Sequence, residues 1–209
     1  MNKAVVLKFL NLHHNAKFQA EHFANSTGHP FPSDTRSWSQ ILISLVTGIR
    51  GVERKKGSDF EDGSDVKAAN AWDAIDNPRF NGVIKAGTKS KTSGKVESLN
   101  SIPYLFFVLW DHNPENERER CRIWVVRPRS DRAFRKMCRD WYELRNKKKR
   151  GSNFQLHPPI GENTNLFTNK CGNLLYPLLF CAELQRKGYQ LTYYKPRILR
   201  TGKCKQIPD

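Results

Sequence analysis

A mixed α/β domain, with a central mixed β-sheet flanked by helices, is the fold this sequence predicts. Three observations carry that expectation. Apolar residues at helical period alternate along the chain with short, continuously apolar runs of strand length. Gly and Pro punctuate the boundaries between them. The 209 residues suffice for one domain with its own core, so the chain reads as a single domain, 1–209, with an N-terminal helical segment over 1–33 and the main core over 34–209.

The elements follow in order. Met1 to Leu10 begin like a signal peptide, but Lys8 and the polar His13-His14-Asn15 interrupt the apolar stretch and no small-residue cleavage site follows. A plain N-terminal helix is expected instead, breaking at Gly28, Pro30 and Pro32. His13, His14 and His22 have no cysteine or acidic cluster to complete a ligand set and read as surface or capping histidines. Ser33 or Asp34 can cap a second helix, because a side-chain oxygen satisfies the free N–H groups at a helix start. In that helix Trp38, Ile41, Leu42, Leu45, Val46 and Ile49 form a one-sided stripe suited to packing on a sheet, and Gly51 ends it. A polar stretch, 53–67, comes next, and 86–100 is rich in Gly, Ser, Thr and Lys, the composition of a mobile loop.

Residues 102–110 are too continuously apolar for a half-exposed strand and read as a buried central one. A second such strand, 121–126, ends before Pro128. Ser130 then caps a helix whose Ala133, Phe134, Met137, Cys138, Trp141 and Leu144 form one face. A basic run, Lys147 to Arg150, breaks at Gly151, and 154–157 is a short strand stopped by Pro158-Pro159. The apolar stretch 174–185 reads as a helix with Pro177 near its first turn, and 189–194 as a late strand.

Charge narrows the function. Thirty-six Lys and Arg against twenty Asp and Glu leave +16 and a pI near 9.9. Such an excess adds self-repulsion to the folded monomer and points to an anionic partner. No segment joins a long basic face to a strong apolar one, and no apolar run reaches membrane-span length, which leaves nucleic acid as the leading partner. The five cysteines are widely spaced with no C-x-x-C pair. That argues against a disulfide framework or a zinc ribbon and for a reducing, cytoplasmic compartment.

The candidate chemistry sits in the polar stretch. Asp62-Gly63 is a hairpin signal with two competing registers. A two-residue loop pairs Phe60 with Asp65 and Asp59 with Val66. A three-residue Glu61-Asp62-Gly63 loop puts Gly63 at its left-handed third position. It pairs Phe60 with Ser64, Asp59 with Asp65 and Gly57 with Lys67. The second register accounts for the residues together: Asp59, Asp65 and Lys67 then share one face, and their like charges call for a cation between them. Mg²⁺ held by Asp59 and Asp65 suits phosphodiester hydrolysis, with Lys67 orienting water or neutralising charge and Glu53 as an extra ligand. The plain alternative is a charged surface hairpin.

Gly57-Ser58-Asp59 and Ser64-Asp65-Val66-Lys67 resemble the PD-(D/E)xK nuclease motif, with Ser58-Asp59 in place of Pro-Asp. The order of elements from Asp34 to Tyr194 is similar to that family's α-β-β-β-α-β core, and 51–70, continuing through 72–82, resembles compact type II restriction endonucleases. The resemblance implies that Asp59 and Asp65 are metal ligands and Lys67 the catalytic lysine. It further implies a Mg²⁺-dependent, site-specific enzyme on double-stranded DNA. Such an enzyme is homodimeric, works in the prokaryotic cytoplasm and has a DNA methyltransferase as its genetic partner. The spacing between the acids is shorter than is usual in the class, which makes Asp62 the reserve ligand.

DNA contacts are expected at two levels. Asn70, Arg79 and Asn81 are of the types that hydrogen-bond base edges, although Asn77-Pro78 and Asn81-Gly82 are also turn dipeptides. Lys85, Lys89 and Lys91, and the run Lys147, Lys148, Lys149 and Arg150, are phosphate-contact candidates, with solvated loops as the plain alternative. Two rival functions stand beside restriction: a basic DNA- or RNA-binding protein without catalysis, and a repair nuclease or junction resolvase that reads structure rather than sequence.

Overall fold

The computed structural model describes residues 1–28, 34–53, 57–72, 78–83, 96–148 and 154–207, with backbone alone for 145–148. Helix α1 (Lys3–Thr27) starts where Asn2 Oδ1 accepts the Val5 N–H at 3.3 Å and stops where Gly28 takes a left-handed φ of 70°. Helix α2 (Arg36–Thr47) follows, with Asp34 Oδ1 accepting the Arg36 N–H at 2.9 Å. It ends at Gly48 and not at Gly51, because Gly48 comes first and its left-handed backbone lets its N–H return to Ser44 O at 2.8 Å. Its buried side chains are Ser39, Leu42, Ile43 and Val46, while Ile41 is 48% exposed. The stripe is therefore rotated by one position from the one the sequence suggested.

Beyond α2 come β1 (Asp65–Asn70), β2 (Phe80–Asn81), a 3-10 turn (Glu97–Leu99), β3 (Leu105–His112) and β4 (Glu119–Val126). Helix α3 (Arg132–Lys148), β5 (Gln155–Leu156), β6 (Leu166–Asn169), β7 (Gly172–Leu175), β8 (Leu178–Gln185) and β9 (Gly188–Tyr194) follow. A short helix α4 (Ile198–Thr201) and β10 (Lys205–Gln206) complete the order. The cap of α3 is Asp131 and not Ser130: its Oδ1 accepts the Phe134 N–H at 3.0 Å.

Five strands form the central sheet in the order β1-β3-β4-β8-β9. Only the β1–β3 pair is parallel; the other pairings are antiparallel. The expected mixed sheet between helices is what forms. Strand β3 is buried on both faces, and alternate residues serve two cores. Leu105, Phe107 and Leu109 meet Phe134, Met137 and Trp141 of α3, together with Phe167 of β6, Leu174 of β7 and Tyr176 just beyond it. Phe106, Val108 and Trp110 meet Val6 and Leu10 of α1 and Leu42, Ile43 and Val46 of α2.

The stretch 174–185 is not a helix. It is the end of β7, a corner at Tyr176-Pro177 and the whole of β8. Leu179, Phe180 and Ala182 are buried because β8 lies between β4 and β9 with a layer over each face. A strand so enclosed is apolar on both sides, and periodicity cannot separate it from a buried helix.

At the far end of β3 and β4 three charges are buried together. Asp111 accepts from Arg120 Nε and Nη2, each at 2.8 Å, and from Arg122 Nη2 at 2.7 Å. The same guanidiniums donate to the carbonyls of Pro159, Glu162 and Thr164, which fastens the loop before β6 to the sheet.

His13 is not a surface or capping residue. It is 5% exposed, with its ring centroid 4.3 Å from that of Trp110 and 4.9 Å from that of Trp38. Burial pushes its pKa down to about 4; Glu119 pulls it up, while Lys17 and His14 push it lower. Above the ordinary value of 6.5 the ring is neutral whether folded or unfolded. Below it, the unfolded chain takes up a proton that the folded chain refuses, so stability falls with pH. Urea denaturation should show a loss of about 2 kcal/mol by pH 5 and about 3 kcal/mol by pH 4 from this group. His13→Phe should flatten that slope. An unchanged slope would show that other groups set the acid sensitivity.

Candidate active site

The site is built where β1 begins. Phe60 N–H donates to Ser64 O at 3.2 Å, and Gly63 N–H to Phe60 O at 3.0 Å, which closes the three-residue Glu61-Asp62-Gly63 loop. Gly63 takes φ 89°, and a Cβ there would sit 3.2 Å from Ser101 O, so the position suits only glycine. Beyond the Phe60–Ser64 pair, the expected hairpin does not continue. Residues 57–60 turn instead toward 50–52, with Val52 N–H donating to Asp59 O at 3.1 Å and Glu61 N–H to Arg50 O at 2.9 Å. Strand β1 takes β3 as its ladder partner, with Asp65 opposite Leu105 and Lys67 opposite Phe107. The Gly57–Lys67 pairing is thus replaced by a parallel one, because β3 offers β1 a fully buried apolar strand that 57–60 cannot match.

The acids nevertheless meet. Asp59 Oδ2 and Asp65 Oδ1 both lie 3.0 Å from the same donor, the Val66 N–H. A carboxylate oxygen of Asp59 therefore stands at the outer edge of β1, where a neighbouring strand's carbonyl would otherwise be. Asp59 Oδ1 accepts from Gln40 Nε2 at 2.7 Å and from Arg36 Nη2 at 3.5 Å. Lys67 Nζ donates to Asp65 Oδ2 at 2.7 Å. Alternation along β1 puts Asp65 and Lys67 on one face, and Asp65 opens with Ser58, Gly63, Ser98 and Ser101 onto a cleft of about 290 Å³.

The pair is electrostatically strained. Burial raises the Asp65 pKa to about 6; a hydrogen bond with Asp59 adds to the rise, and Lys67 opposes it. For Asp59, burial also pushes upward, but bonds from Asp65 and the Val66 N–H and the charges of Lys67 and Arg36 hold it below the usual carboxylate range. Two carboxylates that meet at one N–H crowd negative charge, and a cation relieves that crowding. Their oxygens are hard donors, and Mg²⁺ commonly takes one or two carboxylates plus water and phosphate oxygens. The residues present therefore fit such an ion. Among the described residues no cluster of three or more His, Cys, Asp or Glu side chains forms a fuller cage.

The remaining candidates are placed as follows. Both Asp62 oxygens are occupied within the turn, by the Ser64 N–H at 2.8 Å and Ser64 Oγ at 2.9 Å, so Asp59 and not Asp62 is brought to Asp65. Glu53 is exposed, one residue past Val52, and is not among the groups bonded to the acid pair. Asn70 ends β1 on the face opposite Asp65 and Lys67. Arg79 and Asn81 flank the buried Phe80 of β2, and Asn81 is exposed. Lys85, Lys89, Lys91, Lys149 and Arg150 lie outside the described residues, as do the side chains of Lys147 and Lys148 at the end of α3. Arg36 and Gln40 join the site only in the folded chain, where both donate to Asp59 Oδ1. They stand four residues apart, on one side of a helix whose other side is apolar, and that spacing was the available signal.

Among the described residues no helix is long and apolar enough to cross a membrane. Comparison with known proteins gives two matches. A family model described as MamI restriction endonuclease matches residues 22–192. The Type II restriction enzyme MamI of Microbacterium ammoniaphilum is 31% identical over an alignment of 188 residues that covers 84% of this chain and 60% of that protein. The chain thus spans about three-fifths of that relative's length. No solved structure matches the chain.

Proposed function

The chain belongs to the MamI restriction endonuclease family, and from that premise we propose that it is a type II restriction endonuclease, hydrolysing double-stranded DNA at a specific sequence with Mg²⁺. The observation that carries this reading is the convergence of Asp59 and Asp65 on one backbone N–H, with the Lys67 ammonium 2.7 Å from Asp65 at the mouth of a cleft.

Asp59 and Asp65 would hold the metal. When bound, Mg²⁺ supplies the charge that offsets a scissile phosphate and lowers the pKa of a water. The protein's own residues do the rest. Gln40 and Arg36 fix the Asp59 carboxylate from α2, so its oxygens keep their direction. The Val66 N–H ties both acids to the rigid start of β1. Lys67, 21% exposed, donates from the same face and can turn a proton toward an attacking water or a phosphate oxygen as negative charge develops there. Glu53 is an additional candidate at the exposed rim.

Base reading belongs in this proposal to Arg79 and Asn81, beside β1, and to Asn70. Phosphate contact belongs to Lys85, Lys89, Lys91 and the 147–150 run. A palindromic target matches a two-fold pair of chains, so the enzyme acts as a homodimer, with a methyltransferase of the same specificity as its genetic partner.

Phage or plasmid DNA incubated with Mg²⁺ and, separately, with EDTA tests the reading. Discrete fragments that need Mg²⁺ are expected. Binding without cleavage under every divalent ion would overturn the enzyme reading and leave a basic DNA-binding protein. Preference for branched over linear duplex DNA would favour a structure-reading nuclease.

A further inference from the structure

A second basic feature, outside the acid–lysine site, lies in the C-terminal segment. Between Arg186 and Lys205 the chain carries seven Lys and Arg residues and no Asp or Glu. Four of them, Lys195, Arg197, Lys203 and Lys205, line a cleft of about 480 Å³ whose wall includes Tyr176 and Pro177, and no acidic residue lines it. Arg197, Lys203 and Lys205 are exposed.

The cleft is held in shape by bonds that do not use these charges. Arg127 donates to the carbonyl oxygens of Arg200 and Gly202. Cys204 N–H donates to Asp131 Oδ2 at 2.7 Å, and β10 pairs with β7. Asp131 is 2% exposed, and its other oxygen caps α3, so both of its oxygens are already engaged.

Its position in the sheet matters most. Asp65 pairs with Leu105 and Leu105 with Val126, while Val125 N–H donates to Pro177 O at 3.2 Å and Trp124 pairs with Leu178. Asp65 and the Tyr176-Pro177 corner therefore occupy the same end of the sheet. Leu105, in register with Asp65, packs in one core cluster with Tyr176 and Cys204, so both features also lie on the same face. Three strand spacings separate β1 from β8, roughly 14 Å. That is about the rise of four base pairs of duplex. Arg127 and an exposed Arg129 follow β4, the strand between them.

We propose that the Lys195–Lys205 cleft grips the phosphate backbone of the same duplex whose scissile phosphate lies at Asp65. The proposal rests on the nuclease reading and adds a sequence-independent clamp to it. Phosphates a few base pairs from the cut would enter a cleft that carries four positive side chains and no countercharge. Such contacts position a duplex without reading its bases.

The test compares two variants that remove equal charge from the full-length protein. Lys203→Gln with Lys205→Gln alters the cleft. Arg186→Gln with Lys187→Gln alters the β8–β9 turn at the opposite end of the sheet. Binding to a short duplex is measured in EDTA across a salt series, with thermal melting as a check on folding. The cleft variant should bind tenfold or more weakly, and its slope of log K against log salt should fall by about two. The turn variant should stay close to wild type, and Lys203→Arg with Lys205→Arg should restore binding. Equal losses in the cleft and turn variants would overturn the clamp while wild-type cleavage leaves the nuclease reading intact. A wild-type protein that neither binds nor cuts DNA would overturn both.

Discussion

Replacing Asp65 with Asn should lower Mg²⁺-dependent DNA cleavage by roughly a thousandfold or more, the scale of several kcal/mol of metal-derived stabilisation. The same change should make the metal-free protein more stable, not less. Asp65 is pushed up to about 6 in the folded chain, above its ordinary 3.8, first by burial and then by Asp59. An acid whose folded pKa is raised lowers stability as pH climbs from the unfolded value through the folded one. At pH 7 the penalty of ionising this side chain approaches about 3 kcal/mol, partly offset by the depressed pKa of Asp59. Asn keeps the shape and removes the charge, so a gain of about 1–2 kcal/mol in EDTA is expected at pH 7, vanishing near pH 4. Calorimetry should also find that the variant no longer binds Mg²⁺. A variant that cuts at the wild-type rate would remove Asp65 from the site. One that loses both activity and folding would assign it a structural role.

The largest effect on stability is expected at the other end of the sheet. Asp111→Ala removes the acceptor of three short bonds and leaves Arg120 and Arg122, 2% and 3% exposed, without their carboxylate. Stranding buried guanidiniums in this way costs about 3–5 kcal/mol. Chemical denaturation should show a correspondingly lower midpoint. Replacing all three charges together, with Asp111→Leu, Arg120→Met and Arg122→Met, should cost much less, because no charge is then left alone. If the triple variant loses as much stability as the single one, the bonds of Arg120 and Arg122 to the 159–164 carbonyls, which only the triple variant removes, are worth as much as the relief of the stranded charges. Because this cluster is remote from the start of β1, Asp111 variants that still fold should retain cleavage.

The two ends of the sheet differ in how far their chemistry was legible in the chain. Asp59, the Gly63 turn and Asp65-Val66-Lys67 announce themselves because their constraint is local: a left-handed glycine, a loop of fixed length, and a period of two along one strand. The partner of that strand is not local. Nothing near Lys67 indicates that residues 105–110 will lie beside it in parallel, and so the hairpin was expected to run on. Strand β8 carries no strand signature for a related reason. Its neighbours β4 and β9 bury both of its faces, which erases the alternation that marks a strand. His13 and the Asp111 cluster are legible only once three-dimensional neighbours are known. A polar residue's burial depends on which tryptophans or arginines come from other elements. Helix α2 was readable as an amphipathic stripe, yet Arg36 and Gln40 acquire meaning only through Asp59, nineteen residues beyond Gln40.

The parallel pairing of β1 with β3 has a consequence for how the molecule can change. Parallel neighbours cannot be joined by a tight turn, so the chain must travel back along the sheet between them, here with the 34 residues from 71 to 104. The entropy of closing such an excursion grows only with the logarithm of its length, about 0.6 kcal/mol for each doubling. Insertions there that keep the buried Phe80, Val83, Val96 and Leu99 in place are therefore inexpensive for the fold, and they leave β1, β3 and the residues at their shared end in register. Assembly, in contrast, is slowed, because the strand bearing Asp65 gains its partner only after a distant segment has arrived. The acid pair is expected to be among the last features to form when the chain folds and the first to loosen when it opens, and hydrogen exchange at the Val66 amide would time both events.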